Sequence, residues 1–223
     1  MSAVAVALET STRAPSLAVR CGAVTLASEL GSTRPHASDL LPALAQLLAE
    51  LGARPRDIGT IVVGTGPGSY TGLRVGVATA LGLARGSGAV VRGLPSTETL
   101  VFGALQPGAE ACVVIDARSN ELYFARYRRS AFGVQTLRAP CVLSAAELDA
   151  ELPHGALVLA DHDAVRAGGL ERRSDLRIDA RATPSARAAL ELGLAVIAAA
   201  GAHSAAQVEP LYLRAFAAKS RRR

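Results

Sequence analysis

The chain is short of aromatic residues, lysine and methionine. It has no tryptophan and one methionine, and aromatic residues make up 4% of its 223 residues. Lys219 is the only lysine, so arginine supplies almost all of the positive charge behind the formal net charge of +5. Surfaces that bind nucleic acid combine basic side chains with aromatic ones. Because aromatic residues are so few, the composition argues against an independent RNA-binding module.

Cysteines and long apolar runs are scarce as well. Cys21, Cys112 and Cys141 are odd in number and lack the spacing of a metal site, which predicts reduced thiols. No apolar run reaches the ~18–20 residues that a membrane span needs. Residues 1–9 carry no basic segment ahead of an apolar one, as a signal peptide would. We therefore expect a cytoplasmic protein with no membrane partner.

What the chain does have is a large apolar fraction and a regular order of strands and helices. Hydrophobic residues make up 50% of the chain, enough for a sizeable core. The hydrophobic periodicity predicts three strands followed by helix, strand, helix, strand and helix, after which the strand pattern restarts. The predicted strands are 3–9, 16–21, 24–30, 61–63, 90–94, 111–116, 121–128, 134–139 and 156–159, and the predicted helices begin near 35, 72, 96, 144 and 184.

The restart of the strand pattern predicts two subdomains. It follows the turn-forming residues Gln106, Pro107 and Gly108, where we place a boundary. The fold class is α/β, with one subdomain at residues 1–105 and a second at 106–223, which ends in a basic tail at 219–223.

Residues 59–86 are the most informative stretch. A short buried strand leads through a Gly/Pro-rich turn into an apolar helix, predicted at 72–86. One stripe of this helix would hold it to its own sheet, and a stripe of small side chains would let another backbone approach. The alternatives are a helix packed inside one chain and a helix that docks on a partner. We predict the second, with an interface at Gly72, Leu73, Gly76, Val77, Ala80 and Ala84; Leu81 belongs to the sheet-facing stripe.

The turn at 64–72 also permits a second interpretation. A strand, a Gly-rich loop and a helix N-terminus can hold a phosphate on free backbone N–H groups. The turn lacks the lysine of a Walker loop and does not fit G-x-G-x-x-G. Phosphate binding therefore stays open on the pattern alone.

The same stretch resembles a known family. GTGPGSYTGLRVG at 64–76 is similar to the signature of the TsaB (YeaZ) family, a bacterial subunit of the machinery that makes threonylcarbamoyladenosine beside the tRNA anticodon. Further stretches match that family in order, so the resemblance covers essentially the whole chain. They are ALETST (7–12), PHASDLLP (35–42), LPSTETL (94–100), DARSNELYFARY (116–127) and VEPLYLR (208–214).

The resemblance implies a fold and a set of partners. The fold would be two ribonuclease-H-like subdomains in tandem, as in the actin, sugar-kinase and heat-shock-chaperone superfamily. The helix at 72–86 would pair with the equivalent helix of TsaD, which would carry the metal and the transfer reaction. TsaE, an ATPase, would bind near the junction, and the chain alone would form a homodimer. The chain would be a non-catalytic scaffold that reaches tRNA through the complex rather than directly.

The resemblance also implies where a nucleotide site would lie. Superfamily members place an acidic residue and small hydroxyls after the first strand, facing the phosphates; here these are Glu9, Thr10 and Ser11. Asp116 opens the corresponding turn of the second half, where Arg118 would project into the phosphate space. This indicates a degenerate site. We expect no cofactor and no ATP hydrolysis by the chain alone, and weak ATP or ADP binding stays open.

Neither metal ligands nor a catalytic centre can be assigned. TsaD holds its metal with two histidines four residues apart, whereas Leu40 stands four residues after His36. Ser11 and Ser69 have no histidine or aspartate partner that the sequence identifies. The turn Ala160, Asp161 and His162 departs from the family pattern, so its role stays open. The alternative function is an enzyme in its own right, either a glycoprotease-like peptidase or a degenerate kinase-like ATPase.

Overall fold

The protein is described here by a computed structural model, which covers residues 4–31 and 36–213. The basic tail at 219–223 lies outside the described residues. The strands are β1 (Val4–Glu9), β2 (Ser16–Cys21), β3 (Val24–Glu29), β4 (Ile58–Gly66), β5 (Val90–Pro95), β6 (Glu110–Arg118), β7 (Glu121–Arg129), β8 (Val134–Ser144), β9 (Leu157–Ala160) and β10 (Arg177–Asp179). The helices are α1 (His36–Glu50), α2 (Tyr70–Ser87), α3 (Ser96–Ala104), α4 (Ala145–Glu151), α5 (His162–Ala167) and α6 (Ala186–Ala200).

The first sheet has the order β3-β2-β1-β4-β5. β1, β2 and β3 form an antiparallel meander, and β4 and β5 run parallel to β1 on its other side. The alternation along β1 sorts its side chains by size. Val4, Val6 and Leu8 face the core that α1 and α2 cover, whereas Ala5 and Ala7 face the opposite side. The small alanines leave room for a helix to pack closely on that side.

The second sheet repeats this arrangement in the order β10-β9-β6-β7-β8. β6, β7 and β8 form the antiparallel meander, and β9 and β10 lie parallel on the far side of β6. Each half is therefore a ribonuclease-H-like unit, and the predicted tandem fold is confirmed.

Two helices pack on the sheet of the other half. α6 comes last in the sequence, yet it packs on the alanine face of the first sheet, where Gly193 lies against Val62. α3 comes before the second sheet and packs on it, with Leu100 and Val101 in the same cluster as Tyr127. The boundary at 105/106 therefore separates the two sheets in sequence but not the helices that cover them. Among the described residues, no helix combines the length and apolarity that a bilayer crossing requires.

Candidate functional site

The β4–α2 junction is the centre of the candidate site. β4 ends at Gly66, which is joined to Pro67 by a cis peptide bond. Ser69 caps α2, because its Oγ accepts a hydrogen bond from the N–H of Gly72 at 3.2 Å. The helix ends at Gly88, whose φ of 76° is a left-handed conformation that suits glycine.

The turn after β1 lies buried beneath the start of α2. The hydroxyl of Thr10 donates to the carbonyl oxygen of Gly72 at 2.8 Å. The N–H of Ser69 donates to the carbonyl oxygen of Ser11 at 2.6 Å. Glu9, Thr10 and Ser11 are all buried. The side chains predicted to face a phosphate are therefore covered by the chain's own loop and helix.

Glu9 joins three elements through one carboxyl group. Its Oε1 accepts from the N–H of Ser11 at 2.9 Å and from the hydroxyl of Ser96 at 3.2 Å. The same Ser96 hydroxyl accepts from the N–H of Gly66 at 3.1 Å. Oε2 has no hydrogen-bond partner among the described residues and lies against Gly64. Burial raises the pKa of Glu9 above its ordinary value, although the hydrogen bonds from Ser11 and Ser96 oppose that shift.

The predicted orientation of the small-residue stripe on α2 is wrong. A Cβ at Gly72 would lie 2.0 Å from the carbonyl oxygen of Thr10, and one at Gly76 would lie 2.2 Å from the Thr10 hydroxyl. Ala80 is fully buried, and Ala84 is half-buried against the same core. The stripe thus packs on its own chain, beside Leu73 and Val77, which are buried as predicted. An apolar pattern on nearly all sides of a helix cannot tell which side faces out.

A different set of small residues faces solvent on α2. Ala78, Gly82 and Gly86 recur every fourth residue and are exposed. A Cβ at Gly82 or Gly86 would have nothing within 4 Å. Arg74 and Arg85 lie on the same exposed side.

The adjacent helix α1 extends this surface with further apolar residues. α1 and α2 contact one another. Gln46 and Glu50 of α1 are exposed and polar, and its exposed apolar side chains recur at helical spacing. They are Leu41, Pro42, Ala45 and Ala49. Leu41 is 52% exposed, which is high for a leucine in a helix of a folded domain. We refer to the exposed residues 41, 42, 45 and 49 of α1 and 78, 82 and 86 of α2 as the outer face.

The second predicted phosphate turn is a tight hairpin between β6 and β7. Ser119 and Asn120 have φ of 57° and 61°, as a two-residue hairpin turn requires. The guanidinium of Arg118 pairs with the carboxylate of Asp116 at 3.4 Å. Together with Asp163 and Arg166 they line a cavity of about 310 Å³.

The two predicted turns are brought together only in part. Arg13, from the β1–β2 turn, reaches Asp163 at 3.4 Å, so that turn does approach the cavity beside Asp116. Glu9, Thr10 and Ser11 are not on the cavity lining. Arg118 lines this cavity and is paired there with Asp116; that it would enter a phosphate site stays a prediction.

An aromatic cluster that the sequence did not reveal lies at the start of α2. The guanidinium carbon of Arg74 stands 4.0 Å from the ring centre of Tyr70, and its Nε donates to the hydroxyl of Tyr212 at 3.0 Å. The two rings are 5.3 Å apart. Tyr212 follows Leu211, whose N–H donates to the carbonyl oxygen of Thr65 at 2.8 Å. The members are up to 142 residues apart in sequence, so no local pattern could identify them.

Two of the remaining candidates, Ser69 and Asp161, cap helices. Ser69 is the cap of α2, and the Ser11 hydroxyl has no hydrogen-bond partner among the described residues. Asp161 caps α5, since its carboxylate accepts from the N–H of Ala164 at 2.6 Å, which explains the turn at 160–162. His36 opens α1, and its side chain lies outside the described residues. Within residues 4–31 and 36–213, no three acidic, histidine or cysteine side chains converge as metal ligands would.

Comparison with known proteins places these features in a family. The chain matches the family model described as TsaD: tRNA N6-adenosine threonylcarbamoyltransferase over residues 30–214. It is 36% identical over 131 residues to the tRNA threonylcarbamoyladenosine biosynthesis protein TsaB of Escherichia coli strain K12, covering 57% of this chain and 56% of that protein. Bacillus subtilis strain 168 TsaB is 34% identical over 93 residues, covering 42% and 41% of the two chains. The matched region thus spans about half the length of the E. coli relative.

Solved structures match over nearly the whole chain. A Pseudomonas aeruginosa crystal structure, described as a protein with similarity to peptidase YeaZ, has a TM-score of 0.83 at 28% identity and covers 96% of this chain and 100% of that chain. A second structure, described as YeaZ from the same species, gives a TM-score of 0.82 at 27% identity with the same coverage.

Proposed function

The chain belongs to the family described as TsaD: tRNA N6-adenosine threonylcarbamoyltransferase, as a TsaB (YeaZ) homologue, and on that premise we propose that it is a non-catalytic subunit of the complex that transfers a threonylcarbamoyl group to the adenosine beside the tRNA anticodon. In this proposal it binds a TsaD-type protein, which carries the chemistry. The chain contributes the surface on which that partner is held.

The observation that carries the proposal is the outer face. Small side chains on α2 leave open space where a second backbone can approach, and α1 adds exposed apolar side chains beside them. Burying such a face against a partner helix removes apolar surface from water. Exposed apolar residues grouped on a surface and rimmed by polar ones are typical of interaction sites.

Two observations support a non-catalytic role. Glu9, Thr10 and Ser11 are buried under α2, so a phosphate could reach them only if the β4–α2 loop moved. In the second turn the guanidinium of Arg118 is paired with the carboxylate of Asp116, and both line the cavity beside that turn. The residues of both turns therefore make contacts within the chain. In this proposal the outer face is the functional surface.

The proposal has consequences for the other partners. Without TsaD, the outer face pairs with a second copy of the chain, because an unfilled apolar surface favours a substitute. A TsaE-type ATPase binds at the junction once TsaD is in place. tRNA then meets the assembled complex.

The test is a charged substitution on the outer face. Ala78→Arg places a long side chain where α2 would meet its partner, so we expect the affinity for the TsaD protein of the same organism to fall roughly 30-fold or more, as for a blocked interface centre. Binding is measured by calorimetry and self-association by sedimentation velocity. The melting temperature should stay near that of the parent, because Ala78 is exposed.

Ala150→Arg on α4 is the matched control, since Ala150 is equally an exposed helical alanine but lies on the other half of the molecule. It should bind TsaD as the parent does. If Ala78→Arg also binds TsaD unchanged, the partner does not use the outer face and the proposal fails.

A further inference from the structure

The aromatic cluster at the start of α2 borders the outer face. Arg74 is exposed and stands one helical turn before Ala78, the first α2 residue of that face. Residues four apart on a helix are neighbours on its surface. Tyr70 and Tyr212, which lie around Arg74, are 37% and 46% exposed. The cluster is therefore continuous with the surface on which the partner is proposed to bind, and it adds a charge to an otherwise small and apolar row.

The charge of Arg74 is uncompensated within the described residues. Its guanidinium has two aromatic neighbours and the phenol of Tyr212 as its hydrogen-bond acceptor, and no described carboxylate pairs with it. Glu209 lines a groove beside Tyr212 but is not a partner of Arg74. The hydrogen bond to Tyr212 raises the pKa of Arg74, so the side chain is always cationic. The cluster thus presents a permanent positive charge at one end of the outer face.

The two tyrosines orient the guanidinium without using all of its donors. Tyr212 accepts a hydrogen bond from Nε at 3.0 Å, and the ring of Tyr70 covers one side of the guanidinium at 4.0 Å. Within the described residues, Nη1 and Nη2 of Arg74 make no hydrogen bond. A guanidinium can bind a carboxylate through two parallel N–H donors, and a side chain that is already oriented loses less freedom on binding. Arginine and tyrosine are also the residues that most often carry the energy of a protein interface.

We propose that Arg74, oriented by Tyr70 and Tyr212, binds a carboxylate of the protein that docks on the outer face, and so acts as the charged anchor of that interface. The inference rests on the proposed function, because it names the chemistry that the TsaD-type partner presents to the start of α2: an acidic side chain beside an apolar surface. A guanidinium–carboxylate pair is stronger than a bond between neutral groups. The attraction increases further where the partner excludes water.

Charge complementarity selects a TsaD-type protein over a second copy of the chain as the occupant. α2 contains no acidic residue, so two copies of α2 that face each other offer Arg74 no carboxylate. Arg85 adds a second cation to the same exposed side. Pairing α2 with itself therefore brings like charges together, whereas an acidic partner neutralises them. The anchor favours the heterodimer over the homodimer that forms in its absence.

The experiment measures binding of the full chain to the TsaD protein of the same organism by calorimetry over a series of salt concentrations. Arg74→Gln should weaken binding roughly tenfold or more and make the affinity less dependent on salt, because an ion pair is lost. Arg74→Glu should weaken it further, since a glutamate would then face the partner's carboxylate. Glutamine and glutamate suit a helix about as well as arginine does. Circular dichroism and the melting temperature should therefore stay near those of the parent.

Two further variants separate the anchor from general charge and from the packing of the cluster. Arg172→Gln removes the same charge from an exposed arginine of the second half, so it should bind TsaD as the parent does. Tyr212→Phe keeps the ring but removes the hydroxyl that orients Arg74. It should weaken binding less than Arg74→Gln does. The double variant should bind no worse than Arg74→Gln alone, because the hydroxyl acts only through the arginine.

The outcomes distinguish the anchor from the proposed function. Equal affinities of Arg74→Gln and Arg172→Gln, or an Arg74→Glu variant that binds as well as Arg74→Gln, would overturn the anchor. If Ala78→Arg loses TsaD while Arg74→Gln keeps it, the proposed function stands and the anchor alone is rejected. Self-association, followed by sedimentation velocity, should not weaken in Arg74→Gln; a loss equal to that of TsaD binding would assign the carboxylate to a second copy and overturn the choice of partner. A parent chain that does not bind TsaD contradicts both.

Discussion

At the scale of single residues, Glu9 links the end of β1 to the neighbouring elements α3 and β4. Its carboxyl group contacts the turn at Ser11, the start of α3 at Ser96 and the backbone of β4 at Gly64. A carboxylate with no compensating cation is costly to bury, and burial accordingly raises the pKa of Glu9. The folded state therefore binds a proton at this group more tightly than the unfolded chain does.

The protonation of Glu9 predicts a pH dependence of stability. Because the folded pKa is raised, this group favours folding fully only below its unfolded pKa, near 4.5, and that contribution is lost as pH rises through the folded pKa. Glu9→Gln removes the titration. We therefore expect the free energy of unfolding of the parent, relative to Glu9→Gln, to decline from about pH 4.5 upward. Urea denaturation at several pH values measures it; a difference that grows with pH would contradict the assignment.

At the scale of elements, α2 shows what the sequence could and could not predict. Its position, length and buried residues Leu73 and Val77 followed from hydrophobic periodicity, as did most strands of both sheets. The side of α2 that faces solvent could not be predicted in this way. Gly72 and Gly76 pack against Thr10, which lies 62 positions from Gly72 in sequence. The short elements α5 and β10 were missed, because six and three residues are too few to establish a period. The site residues could not be predicted for the same reason. Close packing against Thr10 and stacking between Tyr70 and Tyr212 join residues that are distant in sequence, so neither leaves a local pattern.

Two glycine-to-alanine substitutions in α2 are expected to change the free energy of unfolding in opposite directions. Gly76→Ala forces a methyl group against the Thr10 hydroxyl, which is held by its bond to Gly72, so we expect a loss of about 1–3 kcal/mol in the free energy of unfolding. Gly82→Ala meets open space in a helix interior and should gain up to about 1 kcal/mol. Chemical denaturation with circular dichroism measures both. If Gly76→Ala were as stable as Gly82→Ala, the orientation of α2 described here would be wrong.

At the scale of the whole molecule, the exchange of α3 and α6 joins the two halves. The alanine face of the first sheet is completed by Ala186, Ala189 and Leu190 of α6. The second sheet is completed by α3, where the hydroxyl groups of Thr97 and Tyr127 lie 2.7 Å apart. Neither half of the sequence therefore contains the full cover of its own sheet.

This exchange predicts that the halves do not fold separately. A fragment of residues 1–105 would expose the Ala5 and Ala7 face, and a fragment of 106–223 would expose the surface that α3 covers. We expect each fragment alone to lack cooperative thermal unfolding, and an equimolar mixture to regain it together with native-like amide dispersion in NMR spectra. A cooperative transition in the 1–105 fragment alone would contradict the prediction.

The late position of α6 also sets the order of events while the chain is being synthesised. The first sheet can pair its strands once residue 95 has emerged, yet its alanine face stays open until residues 186–200 follow. At typical elongation rates of ~5–20 residues per second, that interval lasts roughly 5–20 seconds. A half-covered sheet exposed for so long is a substrate for chaperones that hold nascent chains. Slower translation of the second half would lengthen that exposure, so we expect the yield of native protein to depend on elongation speed as well as on final stability.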